Sequence, residues 1–269
     1  MFYLSNMLFL QSLKNKIKVS DCIVIIPTFN EKENIKQIIL KVFSLREDFN
    51  ILIIDDNSPD GTADIVRELV AIYSEKLFLI ERKGKLGLGT AYLAGFKWAM
   101  DHNYEYIFEM DADFSHDPND LVRLKEACQK QSADLVIGSR YISGINVINW
   151  PLKRVLMSYF ASVFVRKITG LKIMDTTAGF ICYRHTVLEI LNAENIKMKG
   201  YGFQIEMKFK TWKYGFKIIE IPIIFTDRKE GTSKMSGGIF GEAFTGVIQM
   251  KIASFFRNYL KKPIKQTTD

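Results

Sequence analysis

A mostly parallel α/β sheet with helices on both faces is the fold class this sequence predicts, on three observations. Short β-branched runs alternate with helical patterns from residue 22 to residue 140. The first of these runs is continuously apolar, as strands buried on both faces are, rather than alternating. Polar, loop-forming residues gather immediately after the runs.

CIVIIPTF (22–29) is the first predicted strand, and Asn30 with Glu31 and Glu33 predicts a helix opening there and running to about Leu45. ILIIDD (51–56) is the second strand, with a helix after SPDGT. LFLIER (77–82), YEYIFEMD (104–111) and ADLVIGSR (133–140) are three more strands, separated by helices near 89–101 and 118–130. In GKLGLGTAYLAGF, Gly87 and Gly89 read as the opening of a helix set close against neighbouring backbone. Tyr92 stands where a dinucleotide fingerprint needs Gly or Ala, and GxxxxGK[ST] is absent, so Rossmann and P-loop cofactor binding lose support.

Beyond residue 150 the character changes. WPLKRVLMSYFASVFVRKITG predicts an amphipathic helix with its proline near the first turn. DTTAGFICYR follows, then a helix near 203–213, a strand pair within FKIIEIPIIFTDR and a Gly/Ser/Lys loop at 229–238. The segment 239–262 places Phe240, Phe244, Ile248, Ile252, Phe255 and Tyr259 near one helical face, on which Lys251 would have to snorkel. That pattern suits either a helix docked on the sheet or one lying in a membrane interface. The expected organisation is an N-terminal extension (1–20), a catalytic body (21–238) and a basic amphipathic C-terminal helix and tail (239–269).

With 269 residues, 48% of them hydrophobic and 25% charged, the chain is globular, with material for one large domain or two small ones. The formal net charge is +7, of which +3 lies in residues 1–20 and +4 in residues 251–269. A body without net charge speaks against a nucleic-acid groove, whereas basic ends beside apolar segments suit an anionic membrane face. Cys22, Cys128 and Cys182 lack CxxC spacing, which suggests neither a disulfide framework nor a zinc site and points to a reducing compartment. No run reaches about 18 uncharged apolar residues, the length of a bilayer span. In MFYLSNMLFL the apolar stretch precedes Lys14, Lys16 and Lys18, an order that fits a signal peptide poorly and leaves a surface anchor or an upstream start codon.

Ligands of parallel sheets sit at the carboxyl ends of the strands. Here PTFNEKEN, DDNSPDGT, DADFSHD and GSRY share that edge. In Asp111-Ala112-Asp113 alternate side chains point the same way, so two carboxylates can converge on one hard cation, magnesium or manganese, bridging a diphosphate. Ser115 and His116 are close by, the histidine reading as a hydrogen-bonding turn residue. Arg140, Arg154, Arg228 and Lys234 suit phosphate oxygens. HExxH, GxSxG and Cys/His signatures are absent, which disfavours a protein nucleophile. What is left is a metal-bound diphosphate as leaving group and a substrate that brings its own nucleophile.

VIIPTFNEKENI, ILIIDDNSPDGTADIV, KLGLGTAYLAGF, FEMDADFSHDP, LVIGSRYISG, DTTAGFICYR and RKEGTSK occur in this order. Together they resemble the polyprenyl-phosphate (dolichyl-phosphate) mannose synthases of the family 2 nucleotide-sugar glycosyltransferases, from about residue 21 to residue 240. The resemblance implies a GT-A fold and inverting transfer of mannose from GDP-mannose to polyprenyl phosphate. It implies nucleotide contacts from Pro27, Phe29, Glu31, Ile54 and Asp56, and metal and diphosphate contacts from Asp111, Ala112 and Asp113. Ser115 stands where some members have a Gln metal ligand, and Phe29 replaces the more usual Tyr. Arg140, Arg154 and Ser158 resemble the phosphate-contacting set, and Arg228 and Lys234 lie in the loop that closes over the substrates. Asp113, Arg140 and Arg228 are thereby expected to carry catalysis. The C-terminal transmembrane helices of some members are absent, so a protein peripheral to the cytoplasmic face of the membrane is expected, with helices 151–168 and 239–262 as the contact. A phosphate acceptor is already anionic, so no general base is required. The main rival is the same fold moving another sugar, such as glucose from UDP-glucose. A sugar-1-phosphate nucleotidyltransferase would need a Gly-rich signature after the first strand, and a binding module would hold nucleotide without releasing GDP.

Overall fold

A computed structural model describes residues 20–192, 196–198, 200–227 and 238–259. The expected N-terminal extension and the 229–238 loop therefore fall almost wholly outside the described residues. The strands are β1 (Cys22–Thr28), β2 (Asn50–Asp55), β3 (Leu77–Glu81), β4 (Tyr106–Glu109), β5 (Leu135–Ser139), β6 (Val147–Ile148), β7 (Ile181–Arg184), β8 (Ile218–Pro222) and β9 (Phe225–Thr226). The helices are α1 (Ile35–Phe43), α2 (Thr62–Ile72), α3 (Leu88–Asp101), α4 (Asp120–Lys130), α5 (Leu152–Thr169), α6 (His185–Asn192), α7 (Gly200–Lys213) and α8 (Gly238–Phe255).

Seven strands form one sheet in the order β3-β2-β1-β4-β7-β5-β8, and β6 pairs with β9 in a small second sheet. Every pair in the main sheet is parallel except those of β7, which runs antiparallel between β4 and β5. Strand alternation divides the core in two. Cys22, Val24 and Ile26 of β1 face α1, α2 and α4, whereas Ile23 and Ile25 face α3, α6 and α7. The chain winds from β1 out to β3 and then returns to β4 on the other side of β1. The crevice outside β1 and β4 is therefore the topological switch point.

The first helix starts later than its sequence predicts. Asn30 adopts φ +56°, and the N–H groups of residues 30–32 donate to Ser58 Oγ (3.0 Å), Thr62 Oγ1 (3.0 Å) and Asp60 Oδ2 (3.1 Å). Those donors tie the β1 loop to the β2 loop instead of opening a helix. Gly87, at φ +102°, precedes α3 as expected, but the close approach at Gly89 is to the Phe203 ring rather than to backbone. A Cβ on Gly95 would lie 2.6 Å from Ile25 Cγ2. Gly95→Ala is accordingly expected to destabilise the fold by about 1–3 kcal/mol, the usual effect of overpacking a filled core, measured by urea denaturation.

The C-terminal helix docks, but on a different stripe from the one its sequence suggests. Val247 and Ser254 are buried and Val247 joins the α3–α7 side of the core, while Phe244, Ile252 and Phe255 are exposed. Lys251 reaches Thr169 O at 3.1 Å and lies over the Phe255 ring.

Candidate active site

The loop after β4 carries Asp111 and Asp113 to the switch point. Phe114, at φ +59°, turns the chain sharply after them. Asp113 is buried, and its Oδ1 accepts the Ser115 N–H (3.0 Å) and hydroxyl (2.6 Å). Asp111 is 40% exposed, and both carboxylates line a cleft of about 720 Å³ including its open mouth. Ala112 is buried between them among the apolar residues beneath the loop.

His116 is buried, stacked on Phe180 at 4.7 Å, and its Nδ1 accepts the Asp111 N–H at 3.4 Å. Burial lowers its pKa to about 4, so the ring is neutral near pH 7. It is a turn-stabilising residue, as its sequence context suggests.

Across the cleft, Arg140 follows β5. It is buried and held by Asp175 through Nε (2.7 Å), Nη2 (2.7 Å) and its own backbone N–H (3.0 Å). Nη2 also donates to Thr177 Oγ1 at 2.9 Å, and the guanidinium packs against Tyr141, Trp150 and Phe225. Burial alone would raise the Asp175 carboxyl, but the charge and hydrogen bonds of Arg140 outweigh it and hold that pKa below the ordinary value. Asp175 is itself positioned by Glu220, which accepts the Met174 and Asp175 N–H groups (2.6 and 2.9 Å). Arg154 opens α5, pairs with Asp227 at 2.9 Å and stacks on Trp150 at 4.0 Å. Ser158 accepts the Tyr141 hydroxyl at 2.7 Å, one turn further on.

The expected nucleotide residues occupy the neighbouring ends of β1 and β2. Asp56 accepts Arg82 Nε (2.5 Å) and the Leu86 N–H (3.3 Å). Asp55 organises the same edge, accepting Thr28 Oγ1 (2.8 Å) and Ser58 Oγ (2.6 Å). Pro27 pairs with Ile54, Glu31 accepts Asn34 Nδ2 at 3.4 Å, and Phe29 lies 5.0 Å beneath Lys85 Nζ. The Ile54 side chain is fully buried in the core. A ligand can meet that position only through its backbone. Arg228 and Lys234 lie outside the described residues.

The residue types fit a divalent ion. Among the described residues no cluster of three or more His, Cys, Asp or Glu side chains forms a cage. Two carboxylates at the lip of an open cleft are nonetheless the donor set of a hard ion that keeps water and substrate phosphate as its other ligands. Ser115, expected as a third ligand, aims its hydroxyl at Asp113 Oδ1, so in this geometry it orients the carboxylate.

Sequence reasoning singled out neither Thr177 and Gln204, which line the cleft, nor Asp175 and Arg82, which hold Arg140 and Asp56. DTTAGF was visible as a motif, but the need of a buried Arg140 for a buried carboxylate appears only once the strand order brings the two segments together.

Residues 23–191 match the family described as Glycosyl transferase family 2. The chain is 43% identical over 230 residues to a polyprenol monophosphomannose synthase of Mycolicibacterium smegmatis, covering 86% of each chain. It is 42% identical over 232 residues to an undecaprenyl-phosphate mannosyltransferase of Micrococcus luteus, covering 86% of this chain and 94% of that one. Among solved structures, the mannosyltransferase PcManGT of Pyrobaculum calidifontis, in complex with GDP-Man and Mn²⁺, superposes with a TM-score of 0.55 at 15% identity. That match covers 97% of this chain and 74% of the other. A glucosyl-3-phosphoglycerate synthase of Mycobacterium tuberculosis, with Mn²⁺ and UDP bound, gives 0.58 at 16% identity, covering 88% and 80%. The solved structures share the GT-A fold expected from the motifs, and with the family match and these two close relatives they lead to one assignment: this chain belongs to glycosyl transferase family 2.

Proposed function

We propose that this enzyme transfers mannose from GDP-mannose to a polyprenyl phosphate. The observation that carries the reading is one cleft with an acidic wall, Asp111 and Asp113, facing a basic one, Arg140 and Arg154. The names of the two relatives above 40% identity agree with it.

Asp111 and Asp113 would hold a divalent ion, magnesium or manganese, which supplies charge neutralisation of the departing diphosphate. Pro27, Phe29, Glu31 and Asp56 border the nucleotide, and Ile54 does so by its main chain. Arg140, already aligned by Asp175, orients a phosphate, and Arg154 with Ser158 extends that surface along α5. Catalysis then rests on holding an anionic oxygen in line with the anomeric carbon and on charge stabilisation, without a protein base. Arg228 and Lys234 are proposed to add charge from the loop that follows β9.

The lipid acceptor brings the enzyme to a membrane. No described helix is long and apolar enough to cross one. On α5, Leu152, Leu156 and Phe160 recur at helical spacing, with Leu152 71% exposed, and Phe164 stacks on Phe244 of α8 at 4.2 Å. Phe255 and Phe256 are 71% and 87% exposed beside Lys251 and Arg257. An apolar track flanked by cations fits a peripheral helix pair lying on the anionic cytoplasmic face.

The test is product formation from a panel of nucleotide sugars with polyprenyl phosphate and Mn²⁺. GDP-mannose is expected to be preferred and GDP to appear only in step with mannosyl lipid. Preference for UDP-glucose would favour the rival sugar. Leu152→Ser with Phe256→Ser is expected to weaken cosedimentation with anionic liposomes at least about tenfold, from the apolar area withdrawn from the interface.

A further inference from the structure

Helix α7 buries polar side chains where a core helix is usually apolar. Gln204, Lys208 and Thr211 are at most 2% exposed, and Lys208 is fully buried. An ammonium in such a place is costly unless its protons are all satisfied. Lys208 Nζ donates to Ala178 O at 2.6 Å, to Gln204 O at 3.3 Å and to Gln204 Oε1 at 3.4 Å. All three acceptors are neutral, and among the described residues no carboxylate stands within ion-pair distance of it.

Its neighbours lead in two directions. The Ala178 carbonyl adjoins Thr177, whose hydroxyl accepts Arg140 Nη2. Gln204 Nε2 donates to Glu109, two residues before Asp111. Ala178, Thr177 and Gln204 all line the cleft. Lys208 is thus the node at which the support of the basic wall meets the support of the acidic one.

We propose that Lys208 is a positioning residue for transfer, a buried cation that holds the 175–178 loop against Arg140 and adds positive potential behind the acceptor phosphate. The inference rests on the mannosyl-transfer reading above. The charged groups facing Lys208 are Glu109 from β4, Asp175 from the loop before β7, Arg140 from the end of β5 and Glu220 from β8. Burial lowers the Lys208 pKa to about 8, with Glu109 and Asp175 acting in the opposite direction. The charge is present below that pH and lost above it.

The test compares the wild type with Lys208→Met and Lys208→Gln, using GDP-mannose, Mn²⁺ and a soluble short-chain polyprenyl phosphate. In both variants kcat/KM for the acceptor is expected to fall at least about tenfold, the scale of a misplaced reacting group. Donor Kd by calorimetry is expected to stay within about threefold, because Lys208 bonds the 175–178 loop directly and meets the acidic wall only at second hand, through Gln204 and Glu109. The wild type is expected to lose kcat/KM as pH rises through about 8, and the variants to lack that limb. Wild-type kcat/KM in either variant, a parallel loss of donor affinity, or an unchanged alkaline limb would overturn the role. Should both variants fail to fold, a wild-type profile flat from about pH 7 to 9.5 would overturn it as well. Absence of mannosyl transfer in the wild type would sink the reading of the site, whereas normal transfer in all three proteins would sink only the role of Lys208.

Discussion

Asp113→Asn is expected to lower kcat for mannosyl transfer by about 10²–10³-fold, the range seen when one preorganised stabiliser of transition-state charge is removed. Asparagine keeps an oxygen for the Ser115 N–H and hydroxyl, so the turn survives while the negative charge is lost. Asp113→Ala abolishes both acceptor contacts and adds about 1–3 kcal/mol of destabilisation, because a buried N–H is left unpaired. Initial rates over a Mn²⁺ titration, beside thermal denaturation of both variants, separate the two effects. Turnover within threefold of wild type in the Asn variant, at saturating metal, would remove Asp113 from the chemistry.

The second large effect is at Asp175. Asp175→Ala leaves the Arg140 guanidinium buried without its carboxylate, and losing one partner of such a pair typically costs about 3–5 kcal/mol. Transfer should fall in parallel, since Arg140 then loses three of the contacts that aim it. The informative protein is the double variant Arg140→Met with Asp175→Leu. Replacing both members of a buried pair by apolar side chains is often near neutral for stability. Stability measured by urea unfolding is therefore expected to recover in the double variant while activity stays lost. Recovered activity would show that Arg140 serves the fold alone.

The fold was legible because each early strand is a short β-branched run ending in a polar cluster, and that pattern alone gave β1 to β5 with the helices between them. ICYR could not be placed the same way. A short buried strand carries no mark of its direction, and only pairing with both β4 and β5 makes β7 antiparallel. Asn30 misled for a related reason: its local preference for opening a helix lost to hydrogen bonds that the N–H groups of residues 30–32 donate to Ser58, Thr62 and Asp60, acceptors on a loop some thirty residues away.

The site divides likewise. Asp111, Asp113, Arg140 and Arg154 could be named because their side chains are charged and sit just after strands or at a helix start. Asp175 and Lys208 could not, since their importance comes from being buried beside partners distant in sequence. Ile54 shows a different limit: the motif marks a position beside the site, but burial of its side chain leaves only its main chain to meet a ligand.

Glu109, Ile181 and Ile137 stand abreast on β4, β7 and β5. With neighbouring strands about 4.8 Å apart, the two outer strands are separated by roughly 10 Å of hydrogen-bonded backbone. The intervening strand therefore acts as a ruler, laid crosswise between the strand that leads to Asp111 and Asp113 and the strand that leads to Arg140. Single side-chain replacements can blunt either wall but cannot change that span, so redesign toward larger or smaller substrates would have to proceed through the surrounding loops.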